Sequence, residues 1–249
     1  MSENLFVEKR FADLSSQAYK RDIVTFSDFL TLNELNILQQ NAKKYVTAYE
    51  LFGGYEFAER QIAAFVPDAL CYIWEYPIDC IQIKPTYPKF AEEITHRDIL
   101  GAVMNLGIER DKTGDIIVKG KEIYLFCKHE ISSYICEELT QIRHTVVTCT
   151  VVSKENLQVE PNLQECSAII ASIRLDNVVG AMCKLSRSAS AEYIQAGKVF
   201  IQGKECLHNS YLCKPNDIIS IRGYGKYQFT GESAVTKKNR VKINYKKYI

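Results

Sequence analysis

His96-Arg97-Asp98 is the first group in the chain whose side chains could do chemistry. An imidazole near a carboxylate can move protons in general acid-base catalysis. Yet Thr95-His96-Arg97-Asp98 also fits a capping box, in which the Asp98 carboxylate serves the start of a helix. Arg97 then meets a phosphate or pairs with an acid, and a structural or positioning role outweighs catalysis. Cys127-Lys128-His129 is too sparse for a metal, and His129, His144 and His208 have no partner constellation. The nine cysteines are scattered, and none of their spacings is C-x-x-C. They read as small packing residues in a reducing compartment, so neither a metal nor a cofactor is expected.

Cations give the stronger signal. The 249 residues balance 31 Lys/Arg against 30 Asp/Glu, but not evenly along the chain. Residues 172–249 hold 14 basic and 5 acidic residues, a net of +9, and residues 1–171 hold 17 and 25, a net of −8. One basic segment on a near-neutral chain implies an anionic partner for that segment alone. The last 14 residues carry Lys237, Lys238, Arg240, Lys242, Lys246 and Lys247 with Tyr245 and Tyr248 interleaved. That pattern suits phosphate contact with base stacking, or a solubilising tail.

At 47% apolar and 24% charged residues, the composition excludes disorder, collagen and coiled coil. No apolar run is long enough for a membrane span, and the N-terminus lacks an apolar signal region, so a cytoplasmic protein is expected. The length suggests two or three modest domains.

Residues 1–75 read as mainly helical. Thr31-Leu32-Asn33-Glu34 fits a capping box, with Leu35, Leu38 and Ala42 following at helical spacing. Arg60 to Val66 fits strand or helix equally. Residues 76–155 read as β-α-β-β-α-β: strand 78–83, a helix after Thr95 stopped by Gly107, a hairpin around Lys119-Gly120-Lys121-Glu122, a helix through Ile131 and Ile135, and strand 146–152. This is the ferredoxin-like order, shared by RNA-recognition folds and many unrelated functions. The aromatic RNA-stacking signature is missing, and Tyr124 and Phe126 read as core. Leu157 to Glu165 reads as a polar connection. Residues 168–249 read as two helices, through Leu175–Met182 and after Ser186, followed by strands 199–201 and 217–221. The expected class is α+β, in three small domains: 1–75, 76–155 and 168–249, the last with a basic tail.

Residues 174–226 resemble the S4 RNA-binding domain. The ordered pieces are Arg174-Leu175-Asp176, Ser186-Arg187-Ser188, Gly197-Lys198-Val199-Phe200-Ile201-Gln202-Gly203-Lys204, Asp217-Ile218-Ile219 and Arg222-Gly223-Tyr224-Gly225-Lys226. Gln202 stands where Asn is usual, and Asn216 where Gly is usual. Helix-start amides at Ser186, Arg187 and Ser188 make a phosphate site, with Lys184 before them and Lys198 and Lys204 flanking the next strand. Arg174, Gln202, Arg222 and Lys226 complete the expected RNA-binding set, with Asp176 structural. Phe52-Gly53-Gly54-Tyr55, Ala58-Glu59-Arg60, His96 through Gly107 and Gly114-Asp115-Ile116 are similar to YlmH-type proteins, although Leu32-Asn33-Glu34 departs from the pattern. The resemblance implies a binder of rRNA or tRNA on the large (50S) ribosomal subunit carrying peptidyl-tRNA, in ribosome-associated quality control; the residues themselves suggest no catalytic set and demand no dimer, so a non-enzymatic monomer is expected. The alternative is an RNA-modifying enzyme, of the pseudouridine synthase or methyltransferase class, with its active site in residues 1–152. Against it, the one Arg-Leu-Asp lies in the S4 segment, and no Gly-rich turn suits a methyl-donor cofactor.

Overall fold

The structure is a computed structural model that describes residues 3–68, 72–153, 163–235 and 240–248. The chain forms two compact units, Met1–Val159 and Glu160–Ile249. Both mix helices with antiparallel sheet, so the class is α+β.

The first unit begins with α1 (Glu3–Arg21), β1 (Thr25–Leu30), α2 (Leu32–Gln40), β2 (Ala48–Phe52) and β3 (Gln61–Val66). The Thr31 capping box forms: the Thr31 N–H donates to Glu34 Oε2 at 2.8 Å and the Glu34 N–H to Thr31 Oγ1 at 3.3 Å. Helix outweighs strand here, but three strands pair in the order β1-β3-β2. The undecided stretch Arg60–Val66 forms strand β3 from Gln61 onward. Both of its faces are covered: Ala63 and Phe65 pack with Phe11 and Leu38, and Ile62 packs on the other side with Phe29.

The unit continues with β4 (Ile78–Pro85), α3 (His96–Asn105), β5 (Thr113–Lys119), β6 (Glu122–Lys128), α4 (His129–Glu138), β7 (Gln141–Ile142) and β8 (Thr145–Val152). The sheet order is β5-β6-β4-β8-β7. Its four long strands follow the split β-α-β arrangement, with the first and third strands central. Thr95 caps α3 as expected, and Gly107 leaves it at φ +80. The α3 and α4 side of the sheet buries Ile81, Ile83, Ile99, Leu125 and Ile135. The expected division at residues 75/76 falls between β3 and β4, inside this unit.

The opposite face of the five-stranded sheet bears on function. Phe126 is fully buried there, and Tyr55 stacks on it with ring centroids 5.1 Å apart. Phe29, Ile62, Ile78 and Cys80 complete the cluster. Burying a phenylalanine this fully contributes about 1.5–3 kcal/mol. RNA-recognition sheets stack bases on aromatics of this face; here the β1-β3-β2 sheet covers that end of it.

The second unit comprises β9 (Leu163–Ile170), α5 (Leu175–Cys183), α6 (Arg187–Gln195), β10 (Val199–Ile201), β11 (Lys204–Glu205), β12 (Ile218–Ile221), β13 (Gly225–Val235) and β14 (Val241–Tyr248). Its sheet runs β11-β10-β12-β13-β14-β9, every pair antiparallel. Helices α5 and α6 cover one face through Leu175, Val178, Val179, Met182 and Ile194.

Three expectations change here. Residues 163–165, read as connection, belong to β9, while 157–162 lie outside the described residues. Residues 241–248 are not a tail but an inner strand, and Lys237 and Lys238 lie outside the described residues. Tyr245 is no stacking platform, because strand alternation turns it and Ile243 into the core.

The eight described cysteines are free thiols, and Cys71 lies outside the described residues. Burial pushes the thiols of Cys149, Cys183 and Cys213 up to about 12, away from reactivity. Among the described residues no cluster of His, Cys, Asp or Glu could hold a metal, and no helix is long and apolar enough to cross a membrane.

Candidate nucleic-acid interface

The ten expected RNA-binding residues all lie in the second unit, but not in one cluster. Arg174 stands at the residue before α5, and its guanidinium grips Asp176 with two bonds, Nε to Oδ1 at 3.2 Å and Nη2 to Oδ2 at 3.0 Å. Arg187, in the first turn of α6, approaches the same carboxylate with Nε 3.5 Å from Oδ2. One buried acid therefore orients two arginines from two helices. Burial alone would raise the Asp176 carboxyl, but the bonds from Arg174 and the nearby Arg187 outweigh it and hold it below the usual aspartate range.

Ser186 caps α6 by accepting from the Ala189 N–H at 3.2 Å, and its hydroxyl lies 3.1 Å from that of Ser188. The exposed helix start and the Arg187 side chain beside it suit an anion. Lys184 ends α5 in a left-handed conformation, φ 56, which turns the chain sharply into α6.

The second group sits at the other end of α6, about 13.5 Å away by helix rise. The Lys198 ammonium lies 4.7 Å over the Tyr193 ring. The Tyr193 hydroxyl donates to the Arg222 carbonyl at 3.0 Å, and the Arg222 N–H donates to the Lys198 carbonyl at 2.9 Å. Arg222 in turn lies 5.1 Å from the Phe200 ring, and Tyr224 meets Tyr193 edge-on at 5.6 Å. The roles of Tyr193, Tyr224 and Phe200 as supports for these cations escape the sequence reading. Their spacing to Lys198 and Arg222 was the available signal, since each aromatic stands within five residues of one of these cations in sequence or across a strand pair.

Gln202 and Lys204 flank Gly203 in the β10–β11 turn. The Gln202 side-chain amide donates to the Asn216 carbonyl at 3.3 Å, so it closes a turn between loops. Both departures from the S4 pattern occupy left-handed backbone: Gln202 at φ 49 and Asn216 at φ 72. Asn and Gly adopt that region more readily than Gln. Gln202→Asn is therefore expected to stabilise the second unit by about 0.5–1 kcal/mol, read as a higher denaturation midpoint with unchanged slope. Lys226 stands apart from both groups, with its ammonium 4.8 Å over the Tyr248 ring.

In the first unit the three sequence motifs converge. Asp115 accepts from the Tyr55 hydroxyl at 2.9 Å, the Glu59 N–H at 2.7 Å and the Arg60 N–H at 3.1 Å. Burial raises its carboxyl despite these bonds. Arg60 donates to the carbonyls of Thr113, Phe29 and Arg110, tying the two sheets together. Desolvation, with Arg60 nearby, lowers the Arg110 guanidinium to about 10. His96 is exposed as a residue, but crowding around its ring and the adjacent Arg110 charge lower its pKa. Asp98 is used in the capping box, with Thr95 N–H to Oδ2 at 2.9 Å. A groove of about 870 Å³ runs along α1, lined by residues such as Phe6, Leu14 and Tyr45 and by none of the motif residues.

Comparison with known proteins agrees with this division. Residues 73–156 match the family model described as a putative RNA-binding domain in YlmH, and residues 173–219 match the S4 domain. A Bacillus subtilis protein named ribosome-associated protein quality control protein P2 is 27% identical over 225 residues, covering 89% of this chain and 86% of its own length. The chain carries the putative RNA-binding domain described for YlmH and an S4 domain. A solved structure, the cell division protein ylmH from Streptococcus pneumoniae, shares the fold over 61% of this chain and 92% of its own, with a TM-score of 0.51 and 21% identity. The RNA-binding role rests on these two matched domains, one in each compact unit.

Proposed function

We propose that this chain is a non-enzymatic, monomeric cytoplasmic protein that binds structured rRNA or tRNA on the large ribosomal subunit carrying peptidyl-tRNA. There it acts in quality control of stalled translation. The observation that carries this reading is the arrangement of cations around α6. Arg174 and Arg187 are oriented at its start, and Lys198 and Arg222 are held over aromatic rings near its end. Fixed cations at that separation suit the phosphates of a folded RNA, recognised by shape more than by sequence. The name of the Bacillus relative supports the ribosomal setting. The three sequence domains then divide the work: 168–249 grips RNA, while 1–75 and 76–155 set its position.

The enzyme alternative has less support. The convergent polar residues of the first unit are engaged in joining two sheets: Asp115 by three donors, Arg60 by three carbonyls and Asp98 by a helix start.

The test is co-sedimentation with 50S subunits across a salt series, comparing the wild type with Arg187→Ala/Lys198→Ala. Each lost phosphate contact flattens the log–log salt slope by about 0.7–0.9, so the double variant should lose about 1.5. An unchanged slope places the contacts elsewhere. Failure of the wild type to bind at low salt defeats the ribosomal reading.

A further inference from the structure

The sheet face that α5 and α6 leave uncovered carries two aromatic side chains, Phe200 beneath Arg222 and Tyr248 beneath Lys226. Val199, Ile201, Ile219, Ile221 and Tyr227 pack beneath the helices. Strand alternation therefore turns their neighbours Phe200, Ser220 and Lys226 outward. The register sets these three in one row, Phe200 opposite Ser220 and Ser220 opposite Lys226, and Lys226 reaches over Tyr248 on the next strand at 4.8 Å. At one end of the row the Arg222 guanidinium lies 5.1 Å from the Phe200 ring. Lys246 stands in the adjacent row, opposite Gln228 and 4.0 Å from Glu165 at the sheet margin. Phe200 and Tyr248 are only half-buried. From β10 to β14 the row spans three strand spacings, about 14 Å.

We propose that this face holds an unpaired RNA strand of about two or three nucleotides, the number that a sheet surface of this size accommodates by stacking. One base stacks on the Arg222–Phe200 pair and another on Tyr248, while Lys226 and Lys246 meet the phosphates. A guanidinium plane and an aromatic ring are both stacking surfaces for a base, and neither selects strongly among bases. The proposal rests on the RNA-binding reading of this unit. It adds a second ligand class, a single strand, to the folded RNA gripped around α6.

The experiment measures fluorescence anisotropy of the full chain with two labelled RNAs, a blunt duplex stem and an oligouridylate of about ten nucleotides. Tyr248→Leu is expected to weaken the oligouridylate at least about fivefold and the stem less than about twofold. Phe200→Tyr/Tyr248→Phe, which keeps both rings, is expected to retain strand affinity within about twofold. If the leucine variant binds the strand as the wild type does, or the ring-keeping variant loses as much as the leucine variant, the proposal is overturned. Wild type that binds the stem but not the strand overturns it too and leaves the RNA reading standing. Wild type that binds neither overturns both.

Discussion

Gly54→Ala is expected to lower the stability of the first unit by about 4 kcal/mol, enough to remove much of the margin of a small domain. Gly54 has φ +102, where a side chain is strained, and a Cβ there would sit 2.3 Å from Cδ1 of Phe126. Phe126 cannot yield easily, because Tyr55 stacks on it and Phe29 and Ile62 pack around it. Gly53→Ala should be comparably severe, since its Cβ would fall 2.3 Å from the Arg60 carbonyl oxygen and 2.4 Å from the Ala58 Cβ. The control is Gly101→Ala in α3, where nothing lies within 4 Å and helix propensity should add about 0.5–1 kcal/mol. The single tryptophan makes the measurement selective. Trp74 lies 5.1 Å from Tyr76 and 5.8 Å from Phe26, so its fluorescence in a urea titration follows the first unit. A Gly54→Ala midpoint within about 1 kcal/mol of wild type would show that the two sheets are not locked at this point.

Asp176→Asn sets two arguments against each other. Removing an acid makes the basic unit more positive, so charge counting predicts tighter RNA binding. The geometry predicts the reverse. Asp176 holds Arg174 in a two-pronged grip and draws in Arg187, and without it both long side chains must be ordered by the RNA itself. We expect affinity for a structured RNA to fall about tenfold with little change in salt slope, because the cations remain. Stability should fall by about 1–2 kcal/mol, since the carboxylate is 4% exposed and its partner Arg174 is 37% exposed. The folded-state pKa of Asp176 is depressed, so its contribution is present at neutral pH and lost as pH falls through that depressed value. The variant should therefore show a flatter acid limb in its stability profile. Tighter RNA binding by Asp176→Asn would mean that charge, not orientation, governs the interface.

Local chemistry made much of this fold readable. Thr31/Glu34 and Thr95/Asp98 announce their helices because a capping box acts within four residues, and both form as written. Ser186 is legible for the same reason. Strand β3 was ambiguous because burial on both faces leaves a continuous apolar run without a period. The cluster at Asp115 was illegible, since its partners Tyr55, Glu59 and Arg60 stand 55–60 residues away in sequence. Tyr245 misled because a basic, aromatic composition suggests a wet surface, whereas its direction depends on a register set by β13 and β9. The pairing of Lys226 with Tyr248 was hidden for the same reason.

The pairing of β9 with β14 also has a consequence for the order of events during synthesis. β9 ends at Ile170, and among the described residues its ladder partner is β14, which begins at Val241. At elongation rates of roughly 5–20 residues per second, β9 is made about 4–14 s before that partner begins to be made. Through that interval Ile169 and Ile170 have no strand to pair with, and the helices α5 and α6 emerge above an incomplete sheet. Pairing of β9 therefore waits for β14, a non-local step that is slow compared with forming the helices.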